Sequence, residues 1–271
     1  MIDTHAHIQK VEYEDNNKII KSAYENGVEK MICVAYDIKS SIEAVELANT
    51  YDYVYAIVGV HPSEVETLSE NYIETLKEIA NNKKVVAIGE IGLDYHYNGY
   101  SKEKQKEVFV DQMKLAHELN LPICIHSRDA TGDLIEILKD NEKYLKNRGV
   151  LHCFGESIET FNIIKKYGFK VSVGGVLTYK NARKVQEAVA QIPMDYIMLE
   201  TDCPWLTPEP LRGKEKNEPK YIKYVLEKLA EIKNMNYEEL ALVVVNNFKR
   251  LFEIWQRWFF WGQGLLREFH P

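Results

Sequence analysis

Eight short apolar runs, separated by longer amphipathic stretches, constrain most strongly what this chain can fold into. Each run has four to eight residues and is rich in Val and Ile, as buried β-strands are. The runs cover residues 2–8, 30–36, 53–60, 85–91, 122–126, 149–152, 169–173 and 196–201. The remaining periodic stretches predict a helix capped by Ser40 and Ser41 and further helices at 15–26, 69–81, 102–120, 133–146, 158–167, 181–191, 220–233 and 237–253.

This alternation predicts a closed parallel barrel, because strands that are apolar along their whole length need both faces buried. Eight strands, each followed by a helix, form a (β/α)8 barrel, and 271 residues fit its usual size of roughly 250. The alternative is an open doubly wound sheet, but the sequence lacks the Gly-rich fingerprint of such a sheet after its first strand. We therefore expect an α/β fold, a single (β/α)8 TIM-type barrel.

The barrel is expected to occupy residues 1–254, followed by an aromatic-rich C-terminal extension at 255–271. Three of the chain's four tryptophans lie in this extension. Four interpretations fit its composition: a final helix over the far end of the barrel, a subunit contact, a membrane-surface contact, or an anomaly of the reading frame. Composition does not choose among them, and it does not give the oligomeric state.

Net charge and cysteine usage exclude several classes of protein. The formal net charge of −7 provides no global basic field for nucleic acid, so phosphate recognition must be local or borne by a metal ion. Four scattered cysteines favour a reducing cytoplasm over a disulfide framework. No run approaches the roughly 18 apolar residues of a membrane span, so we expect a cytoplasmic protein with no signal peptide and no membrane partner.

Histidine and carboxylate residues recur at the ends of the predicted strands. His5 and His7 end the first strand, and residues two apart on a strand share a face, so both imidazoles point the same way. The remaining members of the set are His61, Glu90, His126, His152 and Asp202. Any one of them alone is more often a structural residue, but the C-terminal strand ends of a barrel surround one mouth, where its active site lies.

The set has enough ligands for two metal ions. His5, His7 and Asp202 can hold one ion, while His126 and His152 hold a second, with Glu90 as a bridge between them. Two sites about 3.5 to 4 Å apart suit the activation of a shared water and the clamping of a phosphoryl or carbonyl oxygen. Imidazole-rich coordination favours Zn or Mn over Mg, which prefers oxygen ligands. The sequence therefore predicts metal-dependent hydrolysis.

At these residues the chain resembles the TatD family of metal-dependent deoxyribonucleases, which belong to the amidohydrolase-like barrels. The resemblance covers nearly the whole chain through the motifs THAHI (4–8), GVHP (59–62), GEIGLDY (89–95), PICIHSRDA (122–130), LHCFGE (151–156), LETDCPWLTP (199–208) and RGKEKNEP (212–219). It implies a barrel hydrolase acting on DNA and assigns His5, His7, Glu90, His126, His152 and Asp202 to the metal centre. Family members are usually described as magnesium-dependent, so the working metal stays open among Zn, Mn and Mg.

Three further residues are candidates for binding substrate, and each has a structural alternative. His61 contacts either a phosphate or the backbone. Arg128 offers a guanidinium for bidentate phosphate binding, against a salt bridge to a neighbouring acid. Arg212 lies in a charged loop after the eighth strand, where it is either solvated or part of a funnel for a DNA end. For Asp94 and Tyr95 we expect a turn with a buried aromatic ring.

These observations favour hydrolysis of DNA phosphodiester bonds, as an exonuclease on single-stranded ends, because a barrel mouth admits a strand end more easily than a duplex. Asp202 and Glu90 are the expected catalytic residues: Glu90 bridges the two ions, and Asp202 accepts a proton from a metal-activated water. One alternative is a small-molecule amidohydrolase or deaminase on the same scaffold. Another is a metal-binding interaction protein that has lost catalysis.

Overall fold

The structure, a computed structural model, describes residues 1–146 and 148–252 as a parallel barrel. Its eight strands follow one another in sequence order around the sheet, so each strand pairs with the next. The strands are β1 (Ile2–Ala6), β2 (Lys30–Val34), β3 (Val54–Val58), β4 (Val85–Asp94), β5 (Ile123–Arg128), β6 (Gly149–Leu151), β7 (Lys170–Val173) and β8 (Ile197–Leu199). The prediction of an α/β barrel is confirmed.

Helices surround the strands, and each crossover from one strand to the next carries at least one. They are α1 (Asn16–Glu25), α2 (Ile38–Thr50), α3 (Tyr72–Ala80), α4 (Lys102–Glu118), α5 (Thr131–Asp140), α6 (Ile158–Ile164), α7 (Arg183–Gln191), α8 (Ile222–Lys233) and α9 (Tyr237–Phe252). Among these described residues, none of the helices combines the length and apolar character that crossing a membrane requires. The predicted extension at 255–271 lies outside the described residues, and the domain division at 254 stays a prediction.

The barrel closes between its first and last strands through residues just beyond their ends. The His7 N–H donates to the Cys203 carbonyl at 2.8 Å, and the Asp202 N–H donates to the His5 carbonyl at 2.9 Å. Five strands, β1, β2, β3, β6 and β8, end before the apolar runs that predict them, and the last residues of those runs lie beyond the ladder at the mouth. Two predicted ligands, His7 and His152, lie in such segments.

Strand β4 is longer than predicted and ends at Asp94 rather than at residue 91. It continues because β5 extends beside it, with Gly92 opposite His126 and Asp94 opposite Arg128. The φ angle of Gly92 is 143°, and a Cβ there would lie 2.0 Å from the His126 carbonyl oxygen. Only glycine allows this approach, which brings Asp94 to the mouth of the barrel.

The start of α2 corrects the predicted cap. The N-cap is Asp37, whose Oδ1 accepts from the Ser40 N–H at 2.6 Å. Ser40 completes a capping box by accepting from the Asp37 N–H at 2.9 Å, and Ser41 donates its hydroxyl to the Asp37 carbonyl. An aspartate satisfies the free N–H groups of the first turn and adds a negative charge at the positive end of the helix, so the helix begins earlier than predicted.

Helix α9 closes the N-terminal end of the barrel. Its last turns bury Phe248, Leu251 and Phe252 in one cluster with early strand residues such as Ile2 and Tyr55. The rings of Tyr55 and Phe248 meet edge to face with centroids 6.4 Å apart. This end of the barrel is therefore apolar, whereas the ionisable side chains that the sequence analysis singled out lie at the opposite end.

Candidate metal centre

Seven ionisable side chains converge at the C-terminal mouth of the barrel. His5 lies in β1, Glu90 in β4 and His126 in β5, while the others follow β1, β3, β6 and β8: His7, His61, His152 and Asp202. Five of them are at most 9% exposed, and His61 and His126 are half-buried. All six ligands predicted from the sequence are thus neighbours in space.

One oxygen of Glu90 faces the first group of side chains. Glu90 Oε2 lies 3.3 Å from His5 Nε2 and 3.6 Å from His7 Nε2. The two Nε2 atoms are 3.1 Å apart, and Asp202 Oδ1 lies 3.8 Å from the one and 3.5 Å from the other. His5, His7 and Asp202 therefore offer three ligand atoms around one point, with a Glu90 oxygen beside them.

The other oxygen of Glu90 faces a second group. Glu90 Oε1 lies 2.7 Å from His126 Nδ1 and 2.8 Å from His152 Nε2, and those two nitrogens are 3.1 Å apart. His61 Nε2 is farther away, 3.6 Å from the same oxygen. The carboxylate of Glu90 thus lies between two groups of imidazoles, as a bridging ligand requires.

Hydrogen bonds on the far side of two rings orient their free nitrogens toward the cluster. His7 Nδ1 lies 3.0 Å from the Val34 carbonyl oxygen, and His126 Nε2 lies 3.2 Å from Asp94 Oδ2. Both partners only accept, so when each ring is neutral the contacting nitrogen carries its proton and the opposite nitrogen offers a lone pair to the cluster. His7 Nε2 and His126 Nδ1 are therefore positioned to ligate a metal ion. Their rings also make the outer hydrogen bonds that histidine ligands usually have.

In His61 the ring proton and the lone pair are exchanged relative to His7 and His126. Its Nδ1 accepts from the backbone N–H of Ser63 at 3.1 Å, which places the ring proton on Nε2, the atom that faces Glu90. Burial and the neighbouring charge of His126 lower the pKa of His61 to about 3, so the ring is neutral. His61 is therefore a hydrogen-bond donor at the edge of the cluster rather than a lone-pair donor to an ion.

Residues 2–253 match the family model described as TatD related DNase. The chain belongs to the TatD family of metal-dependent hydrolases. The uncharacterized metal-dependent hydrolase YabD of Bacillus subtilis is 45% identical over 255 residues, which cover 94% of this chain and 99% of that protein. The 3'-5' ssDNA/RNA exonuclease TatD of Erwinia tasmaniensis is 34% identical over 246 residues, 89% of this chain and 95% of that one.

A solved structure agrees with these sequence matches. The crystal structure of YJJV, a TatD homologue from Escherichia coli K12, matches with a TM-score of 0.87 at 32% identity and covers 93% of this chain and 98% of that chain. The resemblance to the TatD family that the motifs predict is confirmed.

Both carboxylates of the TatD-family cluster are ionised. Burial by itself raises the pKa of Glu90, but the charge of the His152 imidazole and the hydrogen bond from His126 outweigh it and hold that pKa well below its ordinary value. Burial also opposes ionisation of Asp202, and its hydrogen bond with His7 is the main contact that nevertheless lowers its pKa. Two buried, ionised carboxylates that pair with imidazoles are a donor set that fits divalent cations, which would take the place of the imidazole protons.

Two buried acids behind the ligands have roles that the sequence analysis did not predict. Asp94, expected in a turn, accepts from the His96 N–H at 2.9 Å and also contacts His126. Glu200 is fully buried beneath His152, with Oε1 3.7 Å from His152 Nδ1 and 2.6 Å from the Cys153 N–H that donates to it. The sequence feature that could have identified Glu200 is an acidic residue at the end of an apolar strand.

The two arginines predicted to bind substrate lie on the rim of the mouth. Arg128, at the end of β5, is exposed, with its guanidinium carbon 5.3 Å from the ring centre of Tyr97. Arg212 is also exposed, with its guanidinium carbon 3.7 Å from the ring centre of Tyr179. The structure therefore does not bring them into the cluster, and their role in substrate binding stays a prediction.

Proposed function

We propose that this TatD-family hydrolase cleaves phosphodiester bonds of DNA and removes nucleotides from single-stranded ends. The observation that carries the proposal is Glu90, whose two oxygens each face a different group of imidazoles at the mouth of the barrel. This arrangement suits two ions that clamp the attacking and leaving oxygens of a displacement at phosphorus. The name of the Erwinia relative, a 3'-5' ssDNA/RNA exonuclease, supports the same chemistry.

We assign two divalent ions to the chain, either Zn, Mn or Mg. His5, His7 and Asp202 would hold the first, His126 and His152 would hold the second, and Glu90 between the two groups would serve both. Bound ions would polarise the phosphoryl oxygen and lower the pKa of the attacking water. The assignment leaves out His61, because its proton faces the cluster.

Asp202 is the proposed general base. Its carboxylate is ionised and lies beside His5 and His7, at the edge of the first group. It accepts the proton of the attacking water and passes it to the leaving alkoxide. Glu90 has a different task, since its two oxygens hold the groups together and supply the negative charge that two cations need.

Three donors are proposed to bind the phosphate backbone. His61 Nε2–H is placed to donate to a phosphoryl oxygen at the cluster, while Arg128 and Arg212 on the rim would contact phosphates farther along the strand. Local donors of this kind are needed because the net charge of −7 supplies no general attraction for nucleic acid.

The test is cleavage of end-labelled single-stranded DNA by the purified protein, before chelation, after chelation, and after each metal is added back. We expect stepwise shortening from one end, its loss on chelation, and its recovery with at least one of Zn, Mn or Mg. Asp202→Asn, reconstituted in the same way, is the matched control for a contaminating nuclease.

Amide and dipeptide substrates are assayed in parallel, because an amidohydrolase on the same scaffold would use the same ions. Metal-dependent amide hydrolysis without DNA cleavage would overturn the proposal in favour of that alternative. Absence of both activities in protein with its full metal content would favour the interaction protein.

A further inference from the structure

Trp205, the only tryptophan among the described residues, is unusual in its exposure. Its side chain is 49% exposed, although tryptophan is highly buried on average. It lies three residues after Asp202, and the centre of its indole is 4.9 Å from that of the His7 imidazole, with the rings edge to face. An exposed aromatic face therefore borders the first group of ligands.

The backbone that carries Trp205 is held firmly. Its N–H donates to the Asp202 carbonyl at 3.1 Å. The fully buried Asn217 donates its side-chain amide to the Trp205 carbonyl at 2.6 Å and to the Thr201 carbonyl at 2.8 Å. These bonds hold the loop against the end of β8. The backbone of Trp205 is therefore fixed, while its ring stays exposed to solvent.

The loop is also supported by the segment after β7. A Cβ on Gly175 would lie 1.8 Å from the Leu206 carbonyl oxygen, so the two loops pack backbone to backbone. The Tyr179 hydroxyl donates to the Thr207 carbonyl at 3.2 Å, and the Arg212 guanidinium lies over the same tyrosine ring. The indole, a further ring and a guanidinium thus belong to one supported rim.

Four of the seven large exposed apolar side chains among the described residues lie on loops that follow strands, the side of the barrel where the cluster lies. The large, exposed apolar residues that lie on loops following strands are Val11, Tyr97, Tyr100 and Trp205. The others among the described residues, Tyr24, Ile42 and Leu242, lie on outer helices. Aromatic faces interleaved with guanidiniums are the means by which proteins bind single-stranded nucleic acid. Isolated exposed apolar residues elsewhere are ordinary and carry no such meaning.

We propose that Trp205 is a stacking subsite for the nucleobase next to the scissile bond. The inference rests on the proposed function, because it takes the substrate to be a nucleic-acid strand end. With the phosphate held at the ligand cluster, the base of the same or the adjacent nucleotide lies against the indole beside His7. Stacking tolerates every base, so the subsite distinguishes a base from an abasic sugar and not one base from another.

The test pairs two substrate types with variants of Trp205. Single-stranded oligonucleotides carry a tetrahydrofuran abasic analogue at the first or second nucleotide from each end, and otherwise match the normal strand. We expect the wild-type kcat/KM to fall roughly 5- to 150-fold for one analogue position, the range that one stacked base contributes. Trp205→Ala should lower kcat/KM on the normal strand by a similar factor and change little on that abasic strand, whereas Trp205→Phe should keep most of the preference.

Controls separate stacking from damage to the cluster. Tyr24→Ala removes a comparably exposed ring, 52% exposed, from an outer helix and should leave both substrates unaffected. The metal content of Trp205→Ala should equal that of wild type. Binding is read independently with 2-aminopurine at the same position in metal-loaded Asp202→Asn protein, where we expect fluorescence quenching with Trp205 present and loss of the quenching when Trp205→Ala is added.

Equal loss on normal and abasic strands in Trp205→Ala, or no loss on either, would overturn the subsite. A wild-type enzyme that cleaves DNA without any preference for a base over an abasic sugar would also overturn it, while leaving the proposed function intact. If the wild type cleaves no nucleic acid at all, the proposed function fails, and the subsite fails with it.

Discussion

The two ends of this barrel are built from the same eight strands but are opposite in character. At the N-terminal end, Phe248, Leu251 and Phe252 of α9 pack against Ile2 and Tyr55 in an apolar cluster. At the C-terminal end, imidazoles surround two buried carboxylates. The first end contributes stability through burial of apolar surface, whereas burying charged groups at the second opposes folding unless those groups are paired.

From this difference we expect that folding and chemistry can be changed separately in this chain. Substitutions at the closed end should lower the free energy of unfolding and leave the metal content of the folded protein unchanged. Substitutions at the open end should change metal content or turnover and have less effect on folding.

Asp202→Asn should lower kcat strongly while the barrel keeps most of its metal. General acid–base catalysis contributes about 10²- to 10⁴-fold, and a neutral amide cannot accept the proton of the attacking water. The measurement is turnover of end-labelled single-stranded DNA at verified metal occupancy. A kcat within about tenfold of wild type would remove Asp202 from proton transfer and leave it as a ligand only.

Phe248→Ala should have the largest effect on stability at the closed end. Phe248 is 2% exposed, and replacing a buried phenylalanine with alanine costs about 3–5 kcal/mol of unfolding free energy. Denaturant unfolding of the metal-loaded protein measures the loss, and the folded variant should keep the wild-type metal content. Loss of metal from a variant that is still folded would show that the two ends are coupled.

His61→Asn should weaken substrate use without removing an ion. An asparagine at this position can still accept from the Ser63 N–H, as a cap residue does, but its short side chain has no donor that reaches the cluster. Hydrogen bonds to charged groups contribute about 1.5–3 kcal/mol, so we expect a fall in kcat/KM of roughly 10- to 150-fold. If the metal content falls by one ion per chain, His61 is a ligand and the tautomer argument is wrong.

Arg128→Gln should have the smallest effect, since its guanidinium lies exposed on the rim. A phosphate contact there predicts weaker binding of single-stranded DNA that is nearly uniform across sequences, with a salt-dependence slope lower by about 1. Arg250→Gln, an exposed arginine on α9 near the closed end, is the matched control. Identical salt slopes for wild type and both variants would assign Arg128 to the protein surface alone.

The sequence predicted the barrel and all six proposed ligands because both depend on local pattern. Apolar runs specify buried strands, and a ligand at a strand end reaches the mouth through topology alone. The outer contacts were not predictable in this way. Glu200 beneath His152 and Asp94 beside His126 depend on the register of the strands within the sheet, which a single sequence does not state. The exposure of Trp205 likewise depends on how two loops pack.

The helix boundaries show the same limit on a smaller scale. Ser40 and Ser41 are good capping residues, but Asp37 lies nearby and takes the cap, so composition identified the helix and missed its first residue. The sequence also did not show which ring nitrogen of His61 carries the proton. The Ser63 N–H, whose hydrogen bond decides this, belongs to a turn that only the structure shows.

Metal analysis of wild type and Glu90→Gln tests whether one carboxylate serves two adjacent ions. Both proteins, with Glu118→Gln as an exposed control on α4, are chelated, titrated with Zn or Mn, and assayed for bound metal per folded chain. We expect two ions per chain in wild type and in the control, and fewer than two in Glu90→Gln at the same free metal concentration. Two ions retained by Glu90→Gln at wild-type affinity, or a single ion in wild type, would contradict the bridged centre.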